Sequence, residues 1–380
     1  MSVSYLDNAA TTPVRREVLE AMTPYLTSHF GNPSSHHTIG EQAAGALADA
    51  RIRVAAILGM RPTDVIFTSG ATEANNLALK GVAIAAQQRR GARHVVTTPI
   101  EHESVLASVD YLTRIHGFEA TLVPVDATGR VDPDAVAAAI RDESAIVSVG
   151  YANNEIGTVQ DVAGLVAAVA GRVPLHLDAV QAAGWLPLAG LGADALSIAG
   201  HKIGAPKGIG ALGIRSRIPL EPVLHGGGQE RDRRSGTENV AGAVGLARAL
   251  ELAEAERADA AERVSGMRDD LISGVLERVP NARLTGHPEH RLPGTASFTF
   301  SGVNGETVLL ELERRGIVTS SGSACAAGSE EASHVLLALG IDHDEARTAV
   351  RVTLGQGATG SVAPVVDAIE AAVAAVGSGV

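Results

Sequence analysis

The chain of 380 residues contains a single cysteine, Cys325, and aromatic residues make up only 3% of it. One cysteine excludes an intrachain disulfide, which favours a reducing compartment. With so few aromatic side chains, the core must consist largely of Ala, Val, Leu and Ile. Hydrophobic residues still account for 45% of the chain, so the composition predicts a globular protein with a sizeable core.

Long hydrophobic runs and clusters of positive charge are also missing. No window reaches the roughly 18 uncharged apolar residues of a membrane span, and "MSVSYLDNAATTPVRR" lacks the apolar stretch of a signal peptide. We therefore expect a cytoplasmic protein with no membrane partner. The formal net charge of −12 argues against a nucleic-acid partner. The 13 histidines show no metal-binding spacing, so no metal site is expected.

Lysine is rare as well, since Lys80, Lys202 and Lys207 are the only lysines among 31 basic residues. A chain that otherwise uses arginine keeps a lysine where an amine with a shiftable pKa is needed, because a guanidinium cannot form a Schiff base at neutral pH. Two of the three lysines lie within "HKIGAPKG". That stretch is therefore a candidate site.

From about residue 64 the chain alternates short apolar runs with longer Ala-rich segments, which predicts βαβ units around a mostly parallel sheet. From about residue 237 a long helical pattern leads into a smaller set of elements of α+β character. We therefore predict an α/β protein with a large domain over residues 16–240. Residues 1–15 and 241–380 would form the small domain.

Polar loops follow five of the predicted strands: "TSGATE", "TPIEHES", "GYANNEIG", "LDAVQ" and "AGHK". In open α/β sheets ligands bind outside the carboxyl ends of the strands, so these loops predict one shared pocket. "GIGALG" matches the spacing of a dinucleotide-binding fingerprint, but that fingerprint must open a helix. Here the segment itself has the pattern of a strand.

Two residues of these loops suit pyridoxal 5'-phosphate. This cofactor needs a lysine to hold it as a Schiff base and an acidic residue that keeps the pyridine nitrogen protonated. Lys202 and Asp178 fit those roles. Either alone is more typical of a surface lysine or an N-cap aspartate, but together with the other loops they favour the cofactor. The segment from Ser69 to Thr72, between a strand and a helix, fits a phosphate site or simple helix capping.

Nine ordered motifs resemble the landmarks of the NifS- and IscS-like cysteine desulfurases, which are pyridoxal-phosphate enzymes of aminotransferase class V with fold type I. The resemblance runs from residue 5 to about residue 355. In chain order the motifs are "YLDNAATTP", "FGNPSS", "FTSGATEANNLA", "EHESV", "NNEIG", "LDAVQ", "GHKIGAPKGIGAL", "HGGGQERDRRSGTEN" and "SSGSAC".

The resemblance implies a role for each matching residue. Lys202 matches the Schiff-base lysine, Asp178 the partner of the pyridine nitrogen, and His102 a histidine that stacks on the ring and assists proton transfer. Around the ring oxygen and the phosphate, the implied cofactor-binding residues are Asn154, Gln181, Ala71, Thr72, Ala199, Gly200 and His201. Thr237 matches a residue that reaches the phosphate of a neighbouring subunit, which implies a homodimer. Arg351 and Asn154 match the residues that bind the substrate, with the arginine on its carboxylate.

The family's reaction converts L-cysteine to L-alanine, and Cys325 as a thiolate would take the sulfur as a persulfide. A sulfur-acceptor protein, such as an iron–sulfur scaffold or a tRNA-thiolation protein, would then receive it. A lone cysteine is more often an inert, buried residue. The small neighbours in "SSGSACAAGSE" are poor core material and instead favour a mobile catalytic loop.

Some positions depart from the family pattern. Ala199 stands where a hydroxyl residue often binds phosphate, and Gln356 stands where an arginine is common. Two other functions remain open: another class V reaction, such as selenocysteine lysis or transamination, and a non-catalytic binding subunit. The lone Cys325 argues against the first, and its combination with Lys202 and Asp178 argues against the second.

Overall fold

The computed structural model describes residues 3–322 and 331–377, and in it strands and helices alternate as the sequence pattern predicts. The strands are β1 (Ser4–Tyr5), β2 (Val65–Thr68), β3 (His94–Thr97), β4 (Glu119–Leu122), β5 (Ser144–Gly150), β6 (Leu175–Asp178), β7 (Ala195–Ala199), β8 (Gly210–Ile214), β9 (Ala282–Leu284), β10 (Thr295–Phe300), β11 (Ile317–Val318) and β12 (Val350–Thr353).

The helices before residue 240 are α1 (Arg16–Thr27), α2 (Thr38–Leu58), α3 (Ala71–Asn76), α4 (Val82–Arg90), α5 (Glu103–His116), α6 (Pro133–Ala139), α7 (Val162–Val169) and α8 (Gln229–Asp232). Those that follow are α9 (Val240–Arg278), α10 (Gly305–Arg314), α11 (His334–Ala338), α12 (His343–Ala346) and α13 (Ala363–Gly377). A π-helical turn, Leu77–Gly81, joins α3 to α4, and 3₁₀ turns occupy Pro62–Asp64 and Gly200–Lys202.

The large sheet has seven strands in the order β2-β8-β7-β6-β5-β3-β4. Strands β7, β6, β5, β3 and β4 pair in parallel, whereas β8 runs antiparallel to both of its neighbours. Strand β2 therefore points the same way as β7. The carboxyl ends of β2, β3, β5, β6 and β7 meet at one edge, and the prediction of a mostly parallel α/β sheet is confirmed.

Both faces of this sheet are covered, which explains why its central strands are apolar along their whole length. One face packs against α1, α2 and the first half of α9, in a core built mainly from Val, Leu, Ile and Ala. Helices α3 to α5 cover the other face, with Leu77, Val105 and Leu112 fully buried. Aliphatic side chains thus do the packing, as the scarcity of aromatic residues predicts.

The later part of the chain builds a second core on the antiparallel sheet β12-β10-β9. Phe298 and Phe300 lie at its centre and pack with α13 and the second half of α9. The N-terminal strand β1 joins this region by pairing in parallel with β11.

Helix α9, with 39 residues, contributes to both cores. Its residues up to Ala253 pack on the large sheet, whereas Leu271 and Val275 pack in the second core. The division of the chain after residue 240 stays a prediction, because this helix belongs to both regions. Among the described residues, no helix has both the length and the apolar character to cross a membrane.

A buried ion pair anchors the segment that connects the large sheet to α9. Both guanidinium NH₂ groups of Arg51 donate to the carboxylate of Glu230, at 2.6 and 2.8 Å, and Glu230 also accepts from the backbone N–H of Phe67. Glu230, Arg231 and Asp232 all have positive φ, near 49°, 61° and 62°. Because non-glycine residues rarely adopt this conformation, the ion pair helps to hold a strained segment in place.

We expect Glu230→Ala to destabilise the fold by about 3–5 kcal/mol, because it leaves the buried Arg51 guanidinium without its counter-charge. The control is Glu20→Ala, which removes the exposed Arg16–Glu20 pair and should cost under about 0.5 kcal/mol. The free energy of unfolding, measured in urea at one protein concentration, compares the two. Equal losses would contradict the role of the Arg51–Glu230 pair.

Candidate active site

A cavity of about 800 Å³ lies at the carboxyl edge of the large sheet and contains most of the residues that the sequence singles out. It lies where the loops after β2, β3, β5, β6 and β7 converge, as predicted for ligand sites in open α/β sheets. The predicted site residues that line it are Ala71, Thr72, His102, Asn154, Asp178, Gln181, His201, Lys202 and Arg351.

Three of the predicted site residues that the structure describes are not among those that line the cavity. Ala199 and Gly200 are buried at the end of β7, behind the lining. Thr237 is exposed in the segment between α8 and α9, so its role toward a neighbouring subunit stays a prediction. Cys325 falls outside the described residues.

Lys202 ends the 3₁₀ turn after β7, and its ammonium group donates hydrogen bonds to the backbone carbonyls of Ala9 and Ala10. Burial lowers the pKa of Lys202 to about 8, and the positive charge of Arg351 contributes to this shift against the opposite effects of Asp7 and Asp178. A lysine with such a pKa has a substantial fraction of neutral, nucleophilic amine near neutral pH.

The other two lysines do not share this environment. Lys80 donates to Asn76 Oδ1 at 2.6 Å and lies over the ring of Tyr111, away from the residues that line the cavity. Lys207 lines the cavity but is exposed. Lys202 is therefore the partly buried amine of the site.

Asp178 is the last residue of β6 and is only 9% exposed. Its Oδ1 accepts from the backbone N–H of Val180 at 3.0 Å, and its Oδ2 accepts from Asn75 Nδ2 at 2.7 Å. Two donors aimed at a carboxylate stabilise its charged form and fix its direction. Because Asp178 accepts from the Val180 N–H and is buried at the cavity, a capping contact and a place in the site are compatible.

His102 is the N-cap of α5 and also lines the cavity. Its Nδ1 accepts from the backbone N–H of Ser104 at 3.0 Å and lies 2.8 Å from Ser104 Oγ. Capping and a place in the cavity are therefore compatible, because one ring nitrogen serves the helix. Among hydrogen bonds of the described residues, none involves Nε2.

The end of the cavity at the start of α3 suits an anion. The first N–H groups of a helix lack intrahelical acceptors, and Gly70, with φ near 153°, precedes them. A Cβ atom added at Gly210 would lie 2.8 Å from the backbone of Gly70, so the start of β8 packs closely against the turn after β2. Burial lowers the pKa of the nearby His201 to about 4, aided by the charges of Lys202 and Lys207.

Arg351, in the small-sheet strand β12, is 3% exposed and makes hydrogen bonds to three segments. Its Nη2 donates to Asp7 Oδ1 at 2.5 Å, and its Nη1 donates to the carbonyls of Asn154 and Gly322 at 2.7 and 3.1 Å. Its Nε is buried without a hydrogen-bond partner in the described chain. A buried donor without an acceptor is costly, so this atom marks a place for a ligand oxygen.

Several residues of this site were not found from the sequence. Asp7, Asn75, Ser104, Glu101 and Glu155 all line the cavity or bind residues that do. Each lies inside one of the quoted motifs, which is the only sequence signal they carry. Their roles depend on burial and on partners that are remote in the chain.

Glu101 is a carboxyl group of the cavity wall with a strongly perturbed pKa. Thr98 Oγ1 donates to its Oε1 at 2.6 Å, and its Oε2 faces Gly150 at the end of β5. Burial raises the pKa of the Glu101 carboxyl to about 7, and the Asp178 charge adds to the rise, while hydrogen bonds from Thr98 and Gly150 oppose it. Near neutral pH this group is therefore only partly ionised.

The residues on either side of the undescribed segment 323–330 also lie at the cavity. Ser320 and Gly322 line it on one side, and His334 lines it on the other. Ser333 Oγ donates to Glu155 Oε2 at 2.5 Å, and His334 Nε2 lies 3.0 Å from the backbone carbonyl of Glu101. The segment with Cys325 thus begins and ends at this cavity.

No group of three or more His, Cys, Asp or Glu side chains within the described residues has a geometry that could hold a metal ion. The charged groups of the cavity are instead an amine, a carboxylate and a guanidinium at separate positions. Such a set suits an organic ligand with several differently charged parts.

The comparisons with known proteins agree with this geometry. Residues 4–361 match the model of the class V aminotransferases. A cysteine desulfurase IscS of Methanosarcina thermophila is 46% identical over 93% of this chain and 87% of its own length. A NifS-like protein of known structure has a TM-score of 0.88 at 37% identity, covering 100% of this chain and 99% of that one.

The chain belongs to the cysteine desulfurases of the class V aminotransferase family. The predicted resemblance, the enzyme class and the pyridoxal-phosphate cofactor are thereby confirmed. Another solved relative, SspA in complex with cysteine, has a TM-score of 0.80 at 35% identity, covering 92% of this chain and 98% of that one.

The residues of this cysteine desulfurase fit the family's cofactor. The cavity combines three features that suit it: a partly buried lysine with a lowered pKa, a buried carboxylate held by two donors, and a helix start preceded by glycine. These features come from the chain's own hydrogen bonds and burial. They hold independently of the comparisons.

The rate at which Lys202 of the cofactor-free enzyme reacts with pyridoxal phosphate should rise about ten-fold per pH unit below pH 8. It should level off above that pH, because the amine is then neutral. Stopped-flow absorbance between pH 6 and 10 measures this rate, with Lys202→Ala as the control that forms no visible band. A rate that keeps rising to pH 10 would contradict the lowered pKa.

Glu101 predicts a pH dependence of stability. The pKa of the Glu101 carboxyl is higher in the folded than in the unfolded state. Its contribution to the free energy of unfolding is therefore fully present below about pH 4.5 and is lost as the pH rises through about 7. We expect the free energy of unfolding of Glu101→Gln, relative to that of wild type, to increase by up to about 3 kcal/mol between pH 4.5 and 8. Urea unfolding at both pH values measures this, with the exposed Glu262→Gln as control. A constant difference would refute the shift.

Proposed function

We propose that this enzyme removes the sulfur of L-cysteine, leaving L-alanine, and carries it as a persulfide on Cys325. The observation that supports this most is the union of Lys202, Asp178 and Arg351 in one cavity. These are an amine, a carboxylate and a guanidinium that suit a carbonyl cofactor, its ring nitrogen and an amino-acid carboxylate. The solved relative SspA, in complex with cysteine, supports L-cysteine as the substrate.

Arg351 would bind the substrate carboxylate through its Nε–H and the neighbouring Nη2–H. Nε is the buried donor without a partner, and these two groups form the edge of a guanidinium that binds a carboxylate side-on. Asn154, whose carbonyl already accepts from Arg351, would take part from the adjacent loop. This grip fixes the α-carbon of the amino acid relative to Lys202.

The proposed cofactor contacts follow the geometry of the cavity. Lys202 would hold the cofactor as a Schiff base, Asp178 would face its ring nitrogen, and His102 would stack on its ring. Gln181 and Asn154 would bind the ring oxygen. The phosphate would lie at the start of α3 with Ala71, Thr72 and His201, while Thr237 would serve the phosphate of a neighbouring subunit in a homodimer. Ala199 and Gly200 would support this end from behind the lining.

When bound, pyridoxal phosphate supplies an electron sink that stabilises negative charge at the substrate α-carbon. With a pKa lowered to about 8, roughly a tenth of the Lys202 amine is neutral at pH 7, and this form would take the α-proton. Asp178 keeps a negative charge buried at the ring end, and Arg351 keeps a positive charge at the carboxylate end. The substrate is thereby held between two fixed charges.

Cys325 would then attack the substrate sulfur as a thiolate. The new S–S bond would form as the substrate Cβ–S bond breaks, and the electron pair of that bond would stay on the carbon, which is protonated to the methyl group of alanine. The segment that contains it starts at Gly322, whose carbonyl accepts from Arg351. Cys325 follows Gly322 by three residues in the sequence, which supports its assignment to this end of the cavity. The persulfide would pass to an acceptor protein, an iron–sulfur scaffold or a tRNA- or cofactor-thiolation protein, in the cytoplasm.

Cys325→Ser should reduce sulfide and L-alanine formation from L-cysteine to the level of Lys202→Ala, because serine offers no thiolate to accept sulfur. Ser323→Ala, two residues away, is the matched control and should keep wild-type activity. Mass spectrometry of the wild type after one turnover should find one additional sulfur atom on Cys325.

If Cys325→Ser forms alanine as fast as wild type, the sulfur leaves without this thiol and the persulfide route is wrong. If Lys202→Ala retains activity, the assignment of the Schiff-base lysine fails as well. The two outcomes separate the sulfur-carrying step from the chemistry at the cofactor.

A further inference from the structure

A chain of hydrogen bonds connects Asp178 to His102 through two residues that the proposed reaction does not use. Asn75 Nδ2 donates to Asp178 Oδ2 at 2.7 Å and to Ser104 Oγ at 2.9 Å. Ser104 Oγ in turn lies 2.8 Å from His102 Nδ1. Asn75 is fully buried and Ser104 is 7% exposed, so water does not compete for these contacts.

The polarity of this chain is set at its Asp178 end. An ionised carboxylate only accepts hydrogen bonds, so the Asn75 amide must present its NH₂ group to it. The same NH₂ group faces Ser104 Oγ, which therefore accepts there and can donate its own proton to His102 Nδ1. Asn75 Oδ1 is buried without a partner in the described chain, so the carboxylate and the hydroxyl orient this amide.

The backbone at the start of α5 also determines which ring nitrogen of His102 accepts a hydrogen bond. The backbone N–H of Ser104 can only donate, and it donates to His102 Nδ1 at 3.0 Å. Nδ1 therefore carries no proton in the neutral ring, and the proton lies on Nε2. Two donors of one residue, the Ser104 amide and the Ser104 hydroxyl, agree on this tautomer.

We propose that Ser104 and Asn75 are positioning residues that hold His102 as the Nε2–H tautomer and couple it to Asp178. His102 then presents a hydrogen-bond donor, and not a lone pair, at its remaining ring nitrogen. This inference rests on the proposed function for the participation of His102 in proton transfer. The tautomer itself depends only on contacts within the chain.

The experiment compares Ser104→Ala with Ser108→Ala in the cofactor-loaded enzyme. Ser108 is an equally buried serine one turn further along α5, and its hydroxyl donates to the Ser104 carbonyl, away from His102. Long-range ¹H–¹⁵N NMR of histidine-labelled protein, assigned with His102→Gln, reports which ring nitrogen carries the proton. It also shows how strongly the other nitrogen accepts hydrogen bonds.

We expect the wild type to carry the proton on Nε2. Ser104→Ala should move the Nδ1 resonance downfield, toward that of a free acceptor nitrogen, and lower kcat for L-cysteine about five-fold with little change in KM, since one hydrogen bond is lost. Asn75→Ala should move the Nδ1 resonance in the same direction. Ser104→Thr, which retains the hydroxyl, should restore both properties, and Ser108→Ala should change neither.

A wild-type spectrum with the proton on Nδ1 would overturn the proposal, and so would equal effects of Ser104→Ala and Ser108→Ala. The NMR measurement needs no turnover. If the enzyme releases no sulfur from L-cysteine, the proposed function is wrong. The NMR measurement of the His102 tautomer would still test the inference about Ser104 and Asn75.

Discussion

The hydrogen bonds of the Arg351 guanidinium hold the two parts of the site together. Arg351 comes from the small sheet and binds the N-terminal Asp7, Asn154 in the loop after β5 and the backbone at Gly322. A buried guanidinium without partners would cost several kcal/mol, so these segments must assemble around it. The end of the cavity at Arg351 therefore exists only when both cores and the N-terminus are in place.

At the opposite end, the parallel sheet determines the electrostatics. Its strand ends bring Lys202 and Asp178 into one low-dielectric cavity, where burial lowers the pKa of the amine and hydrogen bonds from Asn75 and Val180 hold the carboxylate. Burial also leaves Glu101 only partly ionised beside Asp178. Hydrogen bonds thus hold the Asp178 carboxylate, whereas burial reduces the charge of the neighbouring Glu101.

Helix α5 shows how a structural role and a chemical role can share one side chain. His102 caps the helix with Nδ1, and the helix start in return fixes the ring. The flanks of the cysteine segment are tied to the same neighbourhood, through Ser333 to Glu155 and through His334 to the Glu101 carbonyl. Local secondary structure therefore orients the groups that the proposed sulfur transfer needs.

Local patterns in the sequence were enough to predict the alternating α/β sheet, the edge where its polar loops converge and the place of Lys202 and Asp178 in one pocket. Strand periodicity and the motifs that follow each strand are properties of neighbouring residues, so they can be read directly. Tertiary structure alone decided the burial of Glu101, the partners of Asn75 and the position of Ala199 and Gly200 behind the lining. Asp7 and Arg351 are 344 residues apart, and only the packing of two cores around them makes their charges neighbours.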